Sequence, residues 1–492
     1  MSSVRRALGF SFATRYFELV VGLGASLVLA RLLTPAQIGV YSVVSVFVVV
    51  AHMLRDFGVA QYIVQAPSLD SARIRTAFTV TLLLAWSAAL VLALLGAPLA
   101  AFFDEAGVGE VLRVIALNFL IIPFGSVTLD LLNRDMRFDL LLRIKAVAAL
   151  CHAATAIGLA LLGFGYLSLA WAAVANVAAT AAMALLYRPD TLSFVPGLQH
   201  LREIARFGSL ASIATLSRAA GEAAPDLVIG KLMGMSAVGL FSRAVGTVQL
   251  FTRAVLIGVR PIVLPHFARG HRAGEPLAAQ YLDAQACLIA LGWPFFAVLT
   301  LLAQPVLRTL YGDQWDAAAP LVQILCAAGA LRLLQAFSGD VLVAVGRLDL
   351  ETRTQVVVQG FTVVAVLAGA RYGLAGVAFA LTLSAALGHA VLALVVFPAL
   401  GISNRAVHRV LGAGLVLTAL AAAPVIALRI GEVLPATVDS SLQGLRVLAL
   451  AMPLTLLAWW LGLRLTGNPL LGEMRRVLAH ARARQERVPP SS

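Results

Sequence analysis

Charge is what this sequence has least of: 12% of its 492 residues are Asp, Glu, Lys or Arg, against about 25% in soluble domains. With 60% of its residues hydrophobic, against roughly 45–50% in soluble proteins, the chain has more apolar surface than a water-soluble globule can bury. Acidic residues are scarcer still, 24 against 37 basic ones, for a formal net charge of +13. That balance does not indicate a nucleic-acid partner, because nearly all of it is arginine scattered singly through short loops between apolar runs, where membrane topology explains it better. Of the three cysteines, Cys151, Cys287 and Cys326, all sit in apolar runs without the paired spacing of a disulfide framework or a zinc site. Also missing are a Gly-rich loop ending in Lys-Ser or Lys-Thr, His-Glu-x-x-His and Gly-x-Ser-x-Gly. No catalytic residue, metal or cofactor is therefore expected, and His266 and His271 read as solvated loop histidines.

Long apolar runs are what the sequence has instead, and a spanning helix needs about 20 such residues. They fall near 8–31, 38–62, 76–103, 111–132, 141–163, 166–187, 205–230, 238–265, 278–304, 318–345, 354–371, 374–398, 407–429 and 443–465. The expected fold is an all-α polytopic membrane protein of about 14 transmembrane helices, with Pro98, Pro261, Pro265 and Pro305 kinking or ending helices. Twenty-two basic residues, from Arg5 to Arg487, fall on one side of the alternating loops, and six, Arg31, Lys231, Arg308, Arg371, Arg429 and Arg446, on the other. Positive charge stays inside, so both termini are expected to be cytoplasmic, which requires an even number of spans. The first run follows Arg5 and Arg6 as a signal peptide would. Arg15 and Glu18 interrupt it, however, so it reads as a retained helix.

An internal repeat reinforces that reading. Sliding the sequence 200 places sets ARLLTPAQIGVYS from Ala30 over GKLMGMSAVGLFS from Gly230, so that Leu32, Gly39 and Ser42 meet Leu232, Gly239 and Ser242. Gly58 and Val59 meet Gly258 and Val259, and at an offset of 210 Asp130, Arg137, Asp139 and Arg143 meet Asp340, Arg347, Asp349 and Arg353. Six helices per repeat, an even number, implies two bundles related by a pseudo-two-fold along the membrane normal. The expected domains are a first bundle at 1–200, a second at 201–400, two accessory helices at 401–466 and a basic cytoplasmic tail at 467–492 that suits anionic headgroups or plain solvation equally.

Charges inside the runs are the informative residues, since an ionised side chain costs about 2.5–3.5 kcal/mol at the helix centre. They are Arg15, Glu18, Arg55, Asp56, Arg218, Glu222, Asp226, Arg243, Arg253, Arg260, Arg332 and Asp340. Arg218, Glu222 and Asp226 recur every four residues and line one stripe, and Arg15 and Glu18 share a helical face. Since the two stripes belong to the opening helices of the two repeats, a net-positive, water-filled cavity between the halves would accommodate both, with Arg243 nearer its outer mouth. The competing reading has Arg15 paired with Glu18 and Arg218 with Glu222 as private locks, with Arg55, beside Asp56, and Arg260 snorkelling to the interface. An arginine-lined cavity points to a phosphate-bearing anion, because the guanidinium stays charged and binds two oxygens at once.

ARLLTPAQIGVYS, DFGVAQYIVQ from Asp56 and RDMRFD from Arg134 resemble the polysaccharide-flippase family, the Wzx-type branch of the multidrug/oligosaccharidyl-lipid/polysaccharide exporter superfamily, and its colanic-acid-type members in particular. The resemblance runs from the N-terminus to about residue 400. It implies a V-shaped pair of six-helix bundles and alternating access in the bacterial inner membrane, carrying an undecaprenyl-pyrophosphate-linked oligosaccharide to the periplasmic leaflet beside polymerase and export machinery. It further implies that Arg15, Arg218 and Arg253, with Arg55 and Arg332, engage the pyrophosphate. Glu18, Glu222 or Asp226 is the expected ion-coupling group, and the last two helices are expected to form a groove for the lipid tail. Two alternatives stay open: a drug or cation exporter of the same superfamily, against which the positive cavity argues, and a membrane polymerase, ligase or glycosyltransferase, against which the short external loops argue.

Overall fold

The computed structural model describes residues 2–56, 58–65, 69–189, 192, 194–199, 201, 219–435 and 437–475. They are helical almost throughout: α1 (Ser2–Leu32), α2 (Pro35–Asp56), α3 (Val59–Gln65), α4 (Ser71–Phe103), α5 (Ala106–Ile121), α6 (Pro123–Arg134), α7 (Phe138–Leu161) and α8 (Leu167–Leu186) come first. A helix over 219–233, α9, follows. Then come α10 (Met235–Arg272), α11 (Leu277–Leu301), α12 (Ala303–Tyr311), α13 (Ala319–Leu333), α14 (Ser338–Ala344), α15 (Leu348–Gly369), α16 (Gly373–Val391), the single turn α17 (Phe397–Ala399), α18 (Asn404–Ile430) and α19 (Ser441–Thr466).

Local chemistry sets many of these boundaries. Asp70 caps α4 by accepting from the Arg73 amide at 2.7 Å. Ser403 and Ser440 cap α18 and α19 by accepting from Ala406 and Gln443. Thr34 and Gln37 bond each other's backbone amides at the start of α2, so two otherwise orphaned donors are satisfied at once. Gly373, at φ 72°, reverses the chain between α15 and α16, and Gly467, at φ 59°, ends α19.

Among the described residues, ten helical stretches are long and apolar enough to cross a bilayer, eleven if the bent pair α5 and α6 counts as one span. The protein is a multi-pass membrane protein. The expected number of about fourteen is not confirmed by this count, which covers the described residues alone. The run at 205–230 lies partly outside them, as do several side chains of α10 between 257 and 264. The stretch Asp349–Ala399 counts once, although α15 and α16 within it pack against each other.

Contacts divide the chain into two compact units, Met1–Ser242 and Arg243–Ser492. In the first, Ala25, Leu29 and Leu33 of α1 and its end pack on Ala156 of α7 and Ala172 of α8. A second core joins Val59 and Ile63 of α3, Ile74 and Phe78 of α4 and Val127 and Leu131 of α6. Leu192, beyond α8, enters that core, and Phe194 meets Phe78 and Phe124 edge-on at 5.2 and 5.8 Å. The Gly197 amide donates to Thr79 Oγ1 at 2.8 Å, so this stretch beyond α8 is tied to α4 and α6.

Also inside the first unit, the repeat is visible in the packing. A Cβ on Gly39 would overlap the Met235 carbonyl, and a Cβ on Gly239 would overlap the Pro35 carbonyl. Residues 200 apart thus exchange the same contact where the starts of α2 and α10 cross, the reciprocity a two-fold relation produces. Small residues let membrane helices approach this closely.

In the second unit, α18 and α19 dock on α11 and α12. Val298, Leu302, Val425, Val438 and Val447 share a core. Gln304 clasps Val438 with two 3.0 Å hydrogen bonds, one to its carbonyl and one from its amide. Trp459 Nε1 donates to the Ala290 carbonyl at 2.8 Å.

Helix α4 ends at Phe103, where its apolar run ends, and passes through Pro98. Other expected boundaries are corrected: α10 passes through Pro261 and Pro265 and runs on to Arg272, beyond the expected end at 265. Pro305 lies in the first turn of α12, where proline is tolerated. The sharp break falls instead at Pro123, where α5 and α6 bend by 54°. The runs 38–62 and 318–345 are each two helices, α2 with α3 and α13 with α14. Residues 476–492 of the basic tail lie outside the described residues.

Candidate functional site

The charges picked out by sequence divide into those the fold sequesters and those it leaves accessible. Arg243 is sequestered. Its guanidinium lies 4.6 Å from the Tyr311 ring centre and 4.8 Å from that of Trp315, and both aromatic residues are buried. Cation–π contact of this kind stabilises a desolvated arginine, and Arg243 serves as a clamp between α10, α12 and the turn after it. The aromatic partners lie far along the chain from Arg243.

Arg55 donates through Nε to Asp56 Oδ1 at 2.8 Å and is bonded to the same oxygen through Nη2. Arg55, expected to snorkel to the interface, is thus paired with its neighbour Asp56. Asp226 is half-buried and accepts from Ser242 Oγ at 3.2 Å, while Glu222, one turn earlier, is exposed. Arg218, the first member of that stripe, lies outside the described residues, as does the Arg260 side chain.

Arg15, Arg253 and Arg332 are exposed, on α1, on α10 and in the last turn of α13. Arg253 donates to Gln249 Oε1 at 2.8 Å, one turn back on α10. Arg15 makes no hydrogen bond or ion pair among the described residues. The expected private pair of Arg15 with Glu18 does not form among them. Glu18 reaches across to Lys145 of α7 at 3.7 Å instead. The structure therefore gathers Arg15, Glu18 and Lys145 into one locus of the first unit, while Arg253 and Arg332 belong to the second.

Two polar features of α7 and α15 were missed by the sequence reading. Lys145 is one of the twenty-two basic residues on the side expected to be cytoplasmic, although it stands within an apolar run. On α15, Gln355 Nε2 donates to Glu351 Oε1 at 3.1 Å and Gln359 Nε2 to Gln355 Oε1 at 3.4 Å, a ladder of amides spaced four apart. That spacing was legible in the sequence as i, i+4, i+8. An uncharged glutamine carries a smaller penalty in an apolar run than an ionised side chain, so its signal in the sequence is weaker.

Among the described residues, no group of three His, Cys, Asp or Glu side chains is placed to hold a metal ion. Cys151, Cys287 and Cys326 are free. Among the described charges picked out inside the runs, Arg15, Arg253, Arg332, Asp56 and Glu222 are the exposed ones.

The chain is similar to several known proteins. The chain is 22% identical over 315 residues to the teichuronic acid biosynthesis protein TuaB of Bacillus subtilis, covering 61% of this chain and 63% of that protein's length. It is 22% identical over 349 residues to the lipopolysaccharide biosynthesis protein WzxC of Escherichia coli, covering 69% and 70%. In three dimensions it resembles the lipid II flippase MurJ in an inward closed conformation, with a TM-score of 0.74 at 11% identity over 93% of this chain and 99% of that one, so the two share a fold. A family model described as polysaccharide biosynthesis protein matches residues 28–320, more than half of the sequence, and the chain belongs to that family.

Proposed function

We propose that this protein is a flippase that carries a polyprenyl-pyrophosphate-linked oligosaccharide from the cytoplasmic to the periplasmic leaflet of a bacterial inner membrane, for assembly of a surface polysaccharide. The observation that carries the reading is Arg15, an exposed cation on a spanning helix without an anionic partner among the described residues. A charge so placed is costly unless a ligand or water meets it, and a pyrophosphate is the ligand a guanidinium binds best. Membership of the polysaccharide biosynthesis family and a fold shared with a lipid flippase support the same reading.

On this proposal the duplicated bundles, 1–200 and 201–400, alternate access to the two leaflets. The helices within 401–466 ride on the second bundle, and both termini, including the tail at 467–492, are cytoplasmic. Arg15 and Arg253 hold the headgroup, joined by Arg218 and Arg332, while the polyprenyl tail stays in lipid and polymerase and export proteins act downstream. Arg55, committed to Asp56, is the weakest member of that set. Glu222 and Asp226 remain the candidates for ion coupling. An anionic cargo moving outward gains about 2.3 kcal/mol per charge per 100 mV of inside-negative potential, so the potential alone supplies a driving force.

The test is reconstitution in liposomes with a fluorescent polyprenyl-pyrophosphate oligosaccharide. Arg15→Ala and Arg253→Ala are each expected to slow flipping about tenfold, the loss of one charge-assisted phosphate contact. Unchanged rates in both variants, or transport of a lipophilic cation in place of the sugar lipid, would overturn the reading.

A further inference from the structure

The chain contains two lysines, Lys145 and Lys231, among 37 basic residues. Lys231 is committed, donating to the Phe102 carbonyl at 2.6 Å with its ammonium 4.7 Å from the Phe102 ring centre. Lys145 is held more loosely. Its ammonium lies 3.7 Å from Glu18 Oε1, beyond hydrogen-bond length, and the two side chains are 44% and 38% exposed. Neither group has another hydrogen bond or ion pair among the described residues.

Both residues stand inside spanning helices that pack against each other. Glu18 lies nine residues beyond Gly9 and Lys145 seven beyond Phe138, roughly 14 and 10 Å into their helices at 1.5 Å per residue. Arg15, less than one turn from Glu18 on α1, is exposed. The three formal charges sum to +1. An ion pair so exposed is weak and exchangeable, yet it removes an uncompensated charge from hydrocarbon depth.

We propose that Lys145 is a headgroup ligand held in reserve by Glu18, and that the two exchange partners during each cycle. This rests on the flippase reading above. A pyrophosphate offers Lys145 more negative charge and more acceptor oxygens than one carboxylate does, so cargo binding takes the ammonium and releases Glu18. When cargo leaves, Glu18 recaptures Lys145 and the empty carrier returns with that charge compensated. Glu18 is then an internal counter-ion, a competitor of the cargo phosphate, rather than the carrier of a coupling ion. Lysine suits exchange because its ammonium is a compact charge on a flexible stem that can swing between two anions, whereas an arginine fork settles into one bidentate geometry.

Binding of undecaprenyl pyrophosphate to the full-length protein in nanodiscs tests this, with undecaprenol as the uncharged control. Glu18→Gln is expected to bind the pyrophosphate about threefold more tightly, the release of one exposed ion pair. Lys145→Gln should bind about tenfold more weakly, as expected when one partner of a charged contact is lost, and Lys145→Arg should restore binding. The double variant Glu18→Gln, Lys145→Gln should match Lys145→Gln alone, because Glu18 acts only through Lys145. Size-exclusion profiles check that each variant is folded. If the parent protein binds the pyrophosphate over the alcohol but neither Glu18→Gln nor Lys145→Gln alters affinity, the exchange is wrong and the flippase reading stands. If the parent protein does not prefer the pyrophosphate, both fall.

Discussion

Two helix breaks, α5 to α6 at Ile122 in the first unit and α13 to α14 at Leu334–Phe337 in the second, lie close to the 210-residue offset of the sequence repeat, and they are held by different chemistry. In both, a tryptophan caps a carbonyl just before the break: Trp86 donates to Leu120 at 3.4 Å, and Trp293 to Ala330 at 3.0 Å. Beyond that they diverge. The first break has Pro123, whose ring removes an amide, and it bends by 54° against a cluster of Phe78, Phe124 and Phe194. The second has no proline. Its loose turn, Leu334–Phe337, is pinned by Gln285 donating to Leu333 at 2.7 Å, Tyr281 donating to Leu334 at 3.2 Å, and Gln335 donating to Ala385 at 2.9 Å. Gly388 leaves the room that Gln335 occupies. One duplicated element has therefore been stabilised by apolar packing in one copy and by side-chain amides in the other, since a broken membrane helix requires that its freed carbonyls be met somehow.

If that contrast is right, the two breaks will respond to different mutations. The largest effect is expected at Phe194. Full burial makes Phe→Ala cost about 3–5 kcal/mol, and for this half-buried ring about 2 kcal/mol is expected, read as a lowered apparent Tm in detergent. Protease sensitivity between α8 and α9 should rise in the same variant, and Tyr281→Phe should not reproduce that change. Gln285→Leu should come next, at about 1–1.7 kcal/mol, the upper part of the range for a membrane hydrogen bond. It leaves the Leu333 carbonyl without its donor, and Gln285→Glu, which keeps the size but cannot donate when ionised, should be worse than Leu. Trp86→Phe should cost least, below about 0.6 kcal/mol, because its hydrogen bond is long and its ring 48% exposed. A larger loss from Trp86→Phe than from Gln285→Leu would erase the distinction between the breaks.

The spans were legible because membrane helices advertise themselves by apolar length, and the repeat was legible because Gly39 and Gly239 are fixed by a backbone contact that admits no side chain. The breaks were not legible in the same way. Pro98 and Pro123 look alike in sequence, yet α4 continues through one while α5 stops before the other. Whether a proline breaks a membrane helix depends on what meets the freed carbonyls, and those partners come from other helices. The site shows the same division. Residue type and position marked Arg15, Arg243 and Glu18 as unusual, and all three are placed on helices as the apolar runs required. Their partners, Tyr311 and Trp315 for Arg243 and Lys145 for Glu18, are distant in sequence, and no spacing rule along one helix predicts them.

Composition and periodicity alone determined that this chain lives in a bilayer and that the charges inside its apolar runs are more often basic than acidic, because both follow from how many apolar and charged groups the sequence holds and how far apart they stand. Tertiary structure decided which of those charges remain available: Arg243 is enclosed by aromatic rings, Arg55 is spent on Asp56, and Arg15 and Lys145 are left accessible. A charge at hydrocarbon depth must be answered by something, and only the packing of helices remote in sequence determines whether the answer comes from the protein or is left to a ligand.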